Sequence, residues 1–242
     1  MKKAILLLLA AVQIALTAAA AEKEYSVRVG QFDRLYVTDD VNVEYRCHPD
    51  STGMVVYRGH ERFSNAFIFT NSKGKHTIQV NTEDLGDPQL PTLHVYSDYL
   101  EQVDNSSDFK VRVFNPAPTS EFKATQIGNG TIVVEGIKAT AVKAKLNTGM
   151  GNVVVSGKCE TAEYVMIGTG IIQADRLQAE AVKCKIMGSG TIGCWARQSL
   201  NVRGIGSTKI YYKGDAVVDK KGGGKIYHLS PNAKAEIYLP AK

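Results

Sequence analysis

The chain has 242 residues, 44% of them hydrophobic, and a formal net charge of +5. That is long enough for a full core, no segment after residue 21 is apolar enough to span a bilayer, and the four cysteines match no zinc pattern such as Cys-x2-Cys. The basic excess points to anionic polymers or lipid headgroups before nucleic acid.

Residues 1–21 read as a secretory signal peptide: Lys2-Lys3 give a basic start, Ala4 to Leu16 an apolar stretch, and Thr17 to Ala21 a run of small residues ending in Ala-x-Ala cleavage options. The mature chain is therefore expected to be exported, to the periplasm, the outer cell surface or the medium, with no transmembrane anchor after cleavage. Export permits disulfides among Cys47, Cys159, Cys184 and Cys194. Buried free thiols fit equally well, because Cys184 alternates with charged residues as a core-facing strand residue would.

Residues 22–120 carry 10 basic and 15 acidic side chains. They read as less regular coils of the design that follows. Asp39-Asp40-Val41-Asn42-Val43 is one candidate, and Leu100 to Phe109 another, with Asn105-Ser106-Ser107 at its corner. Ser72-Lys73-Gly74-Lys75 looks like a hairpin turn and supports the competing architecture, an antiparallel sandwich. Segment 81–92 reads as a loop and Pro116-Ala117-Pro118 as a seam.

Residues 121–242 carry 17 basic and 9 acidic side chains and contain a repeat. Gly128-Asn129-Gly130-Thr131-Ile132 recurs as Gly149-Met150-Gly151-Asn152-Val153, Gly168-Thr169-Gly170-Ile171-Ile172 and Gly188-Ser189-Gly190-Thr191-Ile192, then more loosely at Gly204 and Gly222. The Ile or Val after each motif falls at 132, 153, 172, 192, 210 and 226, with gaps of 21, 19, 20, 18 and 16. Stacked supersecondary units produce such a period. One gap supplies roughly 50–60 Å of strand and corner, which suits one coil of a parallel β-helix. Glycine fits the corners, where positive φ or a close neighbour would strain any other residue, and the following Ile or Val turns inward. The expected fold is all-β: a right-handed, single-stranded parallel β-helix with glycine-rich corners, the acidic and basic halves forming one continuous body.

Few motifs carry chemistry. Gly188-Ser189-Gly190-Thr191-Ile192-Gly193 matches Gly-x-Gly-x-x-Gly but lies inside the repeat, with strand rather than helix to follow, so it reads as a corner and not a nucleotide site. Asp98, Glu101, Asp104 and Asp108 are the nearest acidic cluster, with Asp104 and Asp108 placed to share a hard cation or to solvate a loop. The five histidines are scattered, with no metal or triad pairing. No catalytic residue, cofactor or metal ligand is assigned. The most suggestive feature is a lysine ladder: Lys143 and Lys145 hold places similar to Lys183 and Lys185, with Arg203 near the same wall and Glu163 and Val165 interrupting. Such a stripe suits an anionic glycan, with Trp195, Tyr211 and Tyr212 as stacking groups.

These residues resemble a bacterial envelope family described as putative auto-transporter adhesin, head GIN domain. The resemblance rests on Phe32-Asp33-Arg34-Leu35-Tyr36-Val37 with Val41-Asn42-Val43-Glu44, on Pro91-Thr92-Leu93-His94-Val95-Tyr96 with Leu100-Glu101-Gln102-Val103, on the six ordered glycine corners, and on Ile210-Tyr211-Tyr212-Lys213-Gly214-Asp215. It implies a right-handed parallel β-helix exposed in or beyond the cell envelope and an adhesive role, with no shared ligand or catalytic residue. This chain lacks the N-terminal lipoprotein cysteine of many relatives, and its end, Ile237-Tyr238-Leu239-Pro240-Ala241-Lys242, has no run of barrel strands. The expected function is a non-catalytic, adhesin-like module for glycan, envelope or protein partners. The alternatives are an assembly scaffold and a polysaccharide lyase or hydrolase.

Overall fold

The computed structural model describes residues 22–81 and 89–230. The expected signal peptide, most of the 81–92 loop and the C-terminal residues from 231 lie outside them.

Among the described residues seventeen strands form one sheet that coils on itself. In chain order they are β1 (Lys23–Arg28), β2 (Arg34–Val37), β3 (Val43–Cys47), β4 (Met54–Gly59), β5 (Phe67–Ser72), β6 (Lys75–Val80), β7 (Leu93–Ser97), β8 (Gln102–Asn105) and β9 (Lys110–Phe114). There follow β10 (Thr119–Gln126), β11 (Thr131–Leu146), β12 (Asn152–Met166), β13 (Ile171–Ile186), β14 (Thr191–Gly204), β15 (Lys209–Lys213), β16 (Val217–Gly222) and β17 (Lys225–His228). The result is a parallel β-helix of about six turns, as the glycine spacing predicts.

Each coil contributes to two walls. The long strands β11 to β14 run along the first wall, bend, and continue along the second, so each pairs with the next over nearly its whole length. Register slips at the bend, between Val134 and Ile137 for example, where Gly136 takes a φ of 73°. The inward residue after each glycine motif stacks on its counterpart: Ile132 on Val153, Ile172, Ile192, Ile210 and Ile226. The first five of these side chains are fully buried, each contributing about 1.5–3 kcal/mol of transfer free energy. One continuous apolar cluster extends from Phe32 to Ile210.

The corners are crowded for a reason that differs from coil to coil. Gly128 and Gly149 need positive φ, at 89° and 75°. Gly190 does not; a Cβ there would lie 2.3 Å from the carbonyl oxygen of Gly170 in the coil beneath. Close stacking, and not backbone handedness, demands glycine at that level.

The N-terminal coils depart from simple succession. Strands β2 and β3 lie between β6 and β7 on one side and β8 and β9 on the other. The stacking order there is not the chain order. Antiparallel pairs β1–β4, β4–β7 and β5–β6 fold over this end, and the expected turn at Ser72–Lys75 closes the β5–β6 hairpin, with Lys73 and Gly74 at φ of 50° and 77°. The antiparallel signal was real but belongs to this end alone. Val41 is buried and Asn105-Ser106-Ser107 forms a corner beneath Gly130, whose Cβ would meet the Ser107 carbonyl at 2.2 Å.

Candidate functional site

Outward positions on the second wall form three columns. The first is made of Glu121, Ala141, Thr161, Ala181, Ser199 and Val217. Lys123, Lys143, Glu163, Lys183, Asn201 and Asp219 make the second; Thr125, Lys145, Val165, Lys185, Arg203 and Lys221 make the third. Side chains two residues apart share a face, and stacked coils repeat at about 4.8 Å. Because Ala141, Thr161, Ala181 and Ser199 are short, the taller second column overhangs them and leaves a groove of about 490 Å³ running along the stack. Lys143, Glu163, Lys183, Lys185 and Asn201 border it.

The charges in this groove are partly paired. Glu163 receives Lys143 Nζ at 3.2 Å and also pairs with Lys185. Partial burial pushes its carboxyl up, but the hydrogen bonds from Lys185 and Lys143 outweigh that and hold it below the usual carboxylate range. Arg203 pairs with Asp219 and donates from Nη1 to the carbonyl oxygens of Val202 at 2.9 Å and Asp219 at 3.0 Å. Lys145 and Lys183 make no ion pair with any described residue, so the wall keeps an uncompensated positive surplus. The N-terminal half differs: Arg46 and Arg112 stand 3.6 and 4.0 Å from Glu44, and Arg112 lies 3.6 Å from Glu135.

The structure thus brings Lys143, Lys145, Lys183, Lys185 and Arg203 together on one wall, interrupted by Glu163 and Val165. It does not bring the aromatic candidates there. Tyr211 and Tyr212 belong to β15, which pairs with the first-wall part of β14. Tyr211 stacks on Tyr227 at 4.9 Å, while Tyr212 lies in the inward column, against His228 at 4.5 Å and packed on the core. Trp195 lines a separate trough at the bend between the walls. The short residues of the groove floor escaped the sequence reading, although their signal is plain in hindsight: a small residue stands two places before Lys143, Glu163, Lys183 and Asn201.

The acidic cluster disperses. Asp98 accepts from Thr52, Asp104 accepts from Gln102 at 2.8 Å, and Asp108 accepts the Asn129 amide at 3.3 Å. Asp108 is one rung of a ladder in which Asp40 holds the Asp108 amide at 2.9 Å and Asn129 holds the Met150 amide at 3.2 Å. Among the described residues no three His, Cys, Asp or Glu side chains converge to hold a metal, and no helix is long and apolar enough to cross a membrane. All four cysteines are free thiols. Cys184 and Cys194 are buried side by side in the core, where their mutual hydrogen bond and burial push the Cys194 thiol up. Gly188–Gly190 forms a corner between β13 and β14, with Ile192 in the core.

Solved structures share this architecture. A putative adhesin from Bacteroides fragilis superimposes with a TM-score of 0.75 at 19% identity, over 86% of this chain and 97% of that one. A putative lipid binding protein from Parabacteroides distasonis gives 0.67 at 18% identity, over 87% and 98%. A putative adhesin from the same species gives 0.70 at 16%, again over 87% and 98%. At such identities the likeness shows the fold alone. No curated protein matches the chain at a significant level. The profile of the family described as putative auto-transporter adhesin, head GIN domain, matches residues 31–216. With that match across most of its length, and with the glycine-cornered coils that carry it, the chain belongs to this family.

Proposed function

We propose that this chain is an exported, adhesin-like binding module, acting in the envelope or beyond it without catalysis, and that its second wall holds an acidic glycan. One observation carries the reading: Lys143, Lys183 and Lys185, from alternate coils, border a groove floored by short side chains, and Lys183 and the neighbouring Lys145 are unpaired among the described residues. Coils repeat at about 4.8 Å, so Lys143 and Lys183, two coils apart, are separated by roughly 10 Å. A linear polymer with regularly spaced carboxylates or sulfates can meet both. The family description and the adhesin-like neighbours support the binding role.

Binding to a panel of acidic and neutral glycans, at low and moderate salt, tests this reading. Saturable binding to an acidic class should weaken with salt. Lys145→Glu with Lys183→Glu should weaken it about tenfold or more, at an unchanged melting temperature. Glu163→Gln should strengthen it severalfold, because it frees Lys143 and Lys185 from their shared carboxylate. A blank panel, or a Glu163→Gln protein that binds less, would overturn the assignment to this wall. Binding to vesicles containing phosphatidylglycerol but to no glycan would transfer the same wall to lipid headgroups.

A further inference from the structure

We infer that the trough at the bend between the two walls is a second binding site, built for a neutral pyranose sugar. Its walls are Glu180, Trp195, Arg197, Gln198, Lys213 and Asp215, with Gly214 at the rim, and its volume is about 370 Å³. That lies within the range of small-ligand pockets, about 300 Å³ and upward. The inference does not depend on the acidic-glycan reading of the lysine groove.

The composition of the trough selects the ligand. Trp195, the chain's single tryptophan, offers a partly exposed indole, the surface on which the C–H face of a sugar ring stacks. Gly214 keeps it open: it has a φ of 95°, and a Cβ there would lie 2.1 Å from the Ala196 carbonyl oxygen and 3.2 Å from Trp195 Cδ1. The Gly214 carbonyl is itself tied to His228 Nε2 at 2.9 Å, so the rim is held in place.

The cations here are already satisfied. Arg197 Nη1 lies 2.7 Å from Glu180 Oε1. Lys213 Nζ lies 3.3 Å from Asp175 Oδ2, with side-chain exposures of only 13% and 4%. Asp215 pairs with no described residue, so its carboxylate is free to accept from vicinal hydroxyls. Among the lining residues Arg197 and Lys213 balance Glu180 and Asp215, and Lys213 is further engaged by Asp175 from behind. The trough therefore has no positive surplus for the anionic polymer that suits the lysine wall and favours an uncharged, hydroxyl-rich ring.

The lone tryptophan makes the test direct. Emission from the purified protein, excited at the red edge of indole absorption, is followed while methyl glucoside, methyl galactoside, methyl mannoside, N-acetylglucosamine, glucuronate or glycerol is added to roughly 100 mM. At least one neutral pyranose should give a saturable change, insensitive to moderate salt, that glycerol does not reproduce and glucuronate reproduces only weakly. Asp215→Asn should weaken it about tenfold with an unchanged melting temperature. The inference is overturned by no saturable change with any neutral sugar, by a change that Asp215→Asn leaves intact, or by one that glucuronate drives best and salt abolishes. The last would place an anionic sugar in the trough, while failure of the lysine groove would leave these titrations untouched.

Discussion

His76 is fully buried between two aromatic rings, 4.8 Å from Phe32 and 5.9 Å from Phe69. Burial disfavours the charged imidazolium and lowers the ring from 6.5 to about 4. A free histidine in the unfolded chain titrates near 6.5, so between pH 6.5 and 4 the unfolded state binds more protons. Stability is whole above that window and falls as pH drops through it, by about 3 kcal/mol in the limit of the full shift. His76→Phe keeps the stacking and removes the proton site. Urea unfolding at neutral and mildly acidic pH should show a loss in the natural protein that is smaller by most of that amount in the variant; equal losses would refute the account. Nothing in Lys75-His76-Thr77 distinguishes this histidine from the other four, since what sets it apart is the aromatic pair supplied by β5 and the segment before β2.

Among the elements, the corner between β8 and β9 shows how coils without glycine motifs join those with them. Asn105 and Gln126 are successive members of the inward column that continues as Leu146, Met166 and Ile186, and both are fully buried. Asn105 Nδ2 donates to Gln126 Oε1 at 3.0 Å and to the Phe109 carbonyl at 2.9 Å, while Ser107 Oγ donates to Asn105 Oδ1 at 2.8 Å. Gln126→Leu fits the column but deprives Asn105 of a partner, at a cost of about 2 kcal/mol. Replacing Asn105 by Val as well should recover part of that loss in chemical denaturation, and strict additivity would dissolve the network claim. The apolar columns were legible because glycine spacing sets the register, and Asn105-Ser106-Ser107 was legible as a corner for the same reason. The lysine columns followed from that register. The aromatic grouping failed because Tyr211 and Tyr212 precede the bend of their coil and Trp195 lies at the bend of its own, while the lysines follow it, and the spacing of corners does not reveal where a coil bends.

Across the whole molecule, each coil rests mainly on its two neighbours, so local stability is expected to follow position in the stack. Strands β12 and β13 are flanked on both sides along nearly their full length, whereas every residue of β16 is exposed. Hydrogen exchange should be slowest in β11 to β13 and progressively faster through β14 to β17. Uniform protection would mean that the stack opens only as a unit. The threading of the N-terminal coils escaped sequence reading because no repeat marks it, and the excursion from β4 to β7 sets it. That threading has a temporal consequence. Beyond β10 each coil can settle on its predecessor as soon as it emerges, because its template is already in place. Strand β2 cannot, since Arg34 pairs with Lys75 on one edge and Gln102 on the other. The strands synthesised among the first are a keystone without an arch: one edge stays open to any passing chain until residues through Ser97 have been made, and the other until residues through Phe114 have been made.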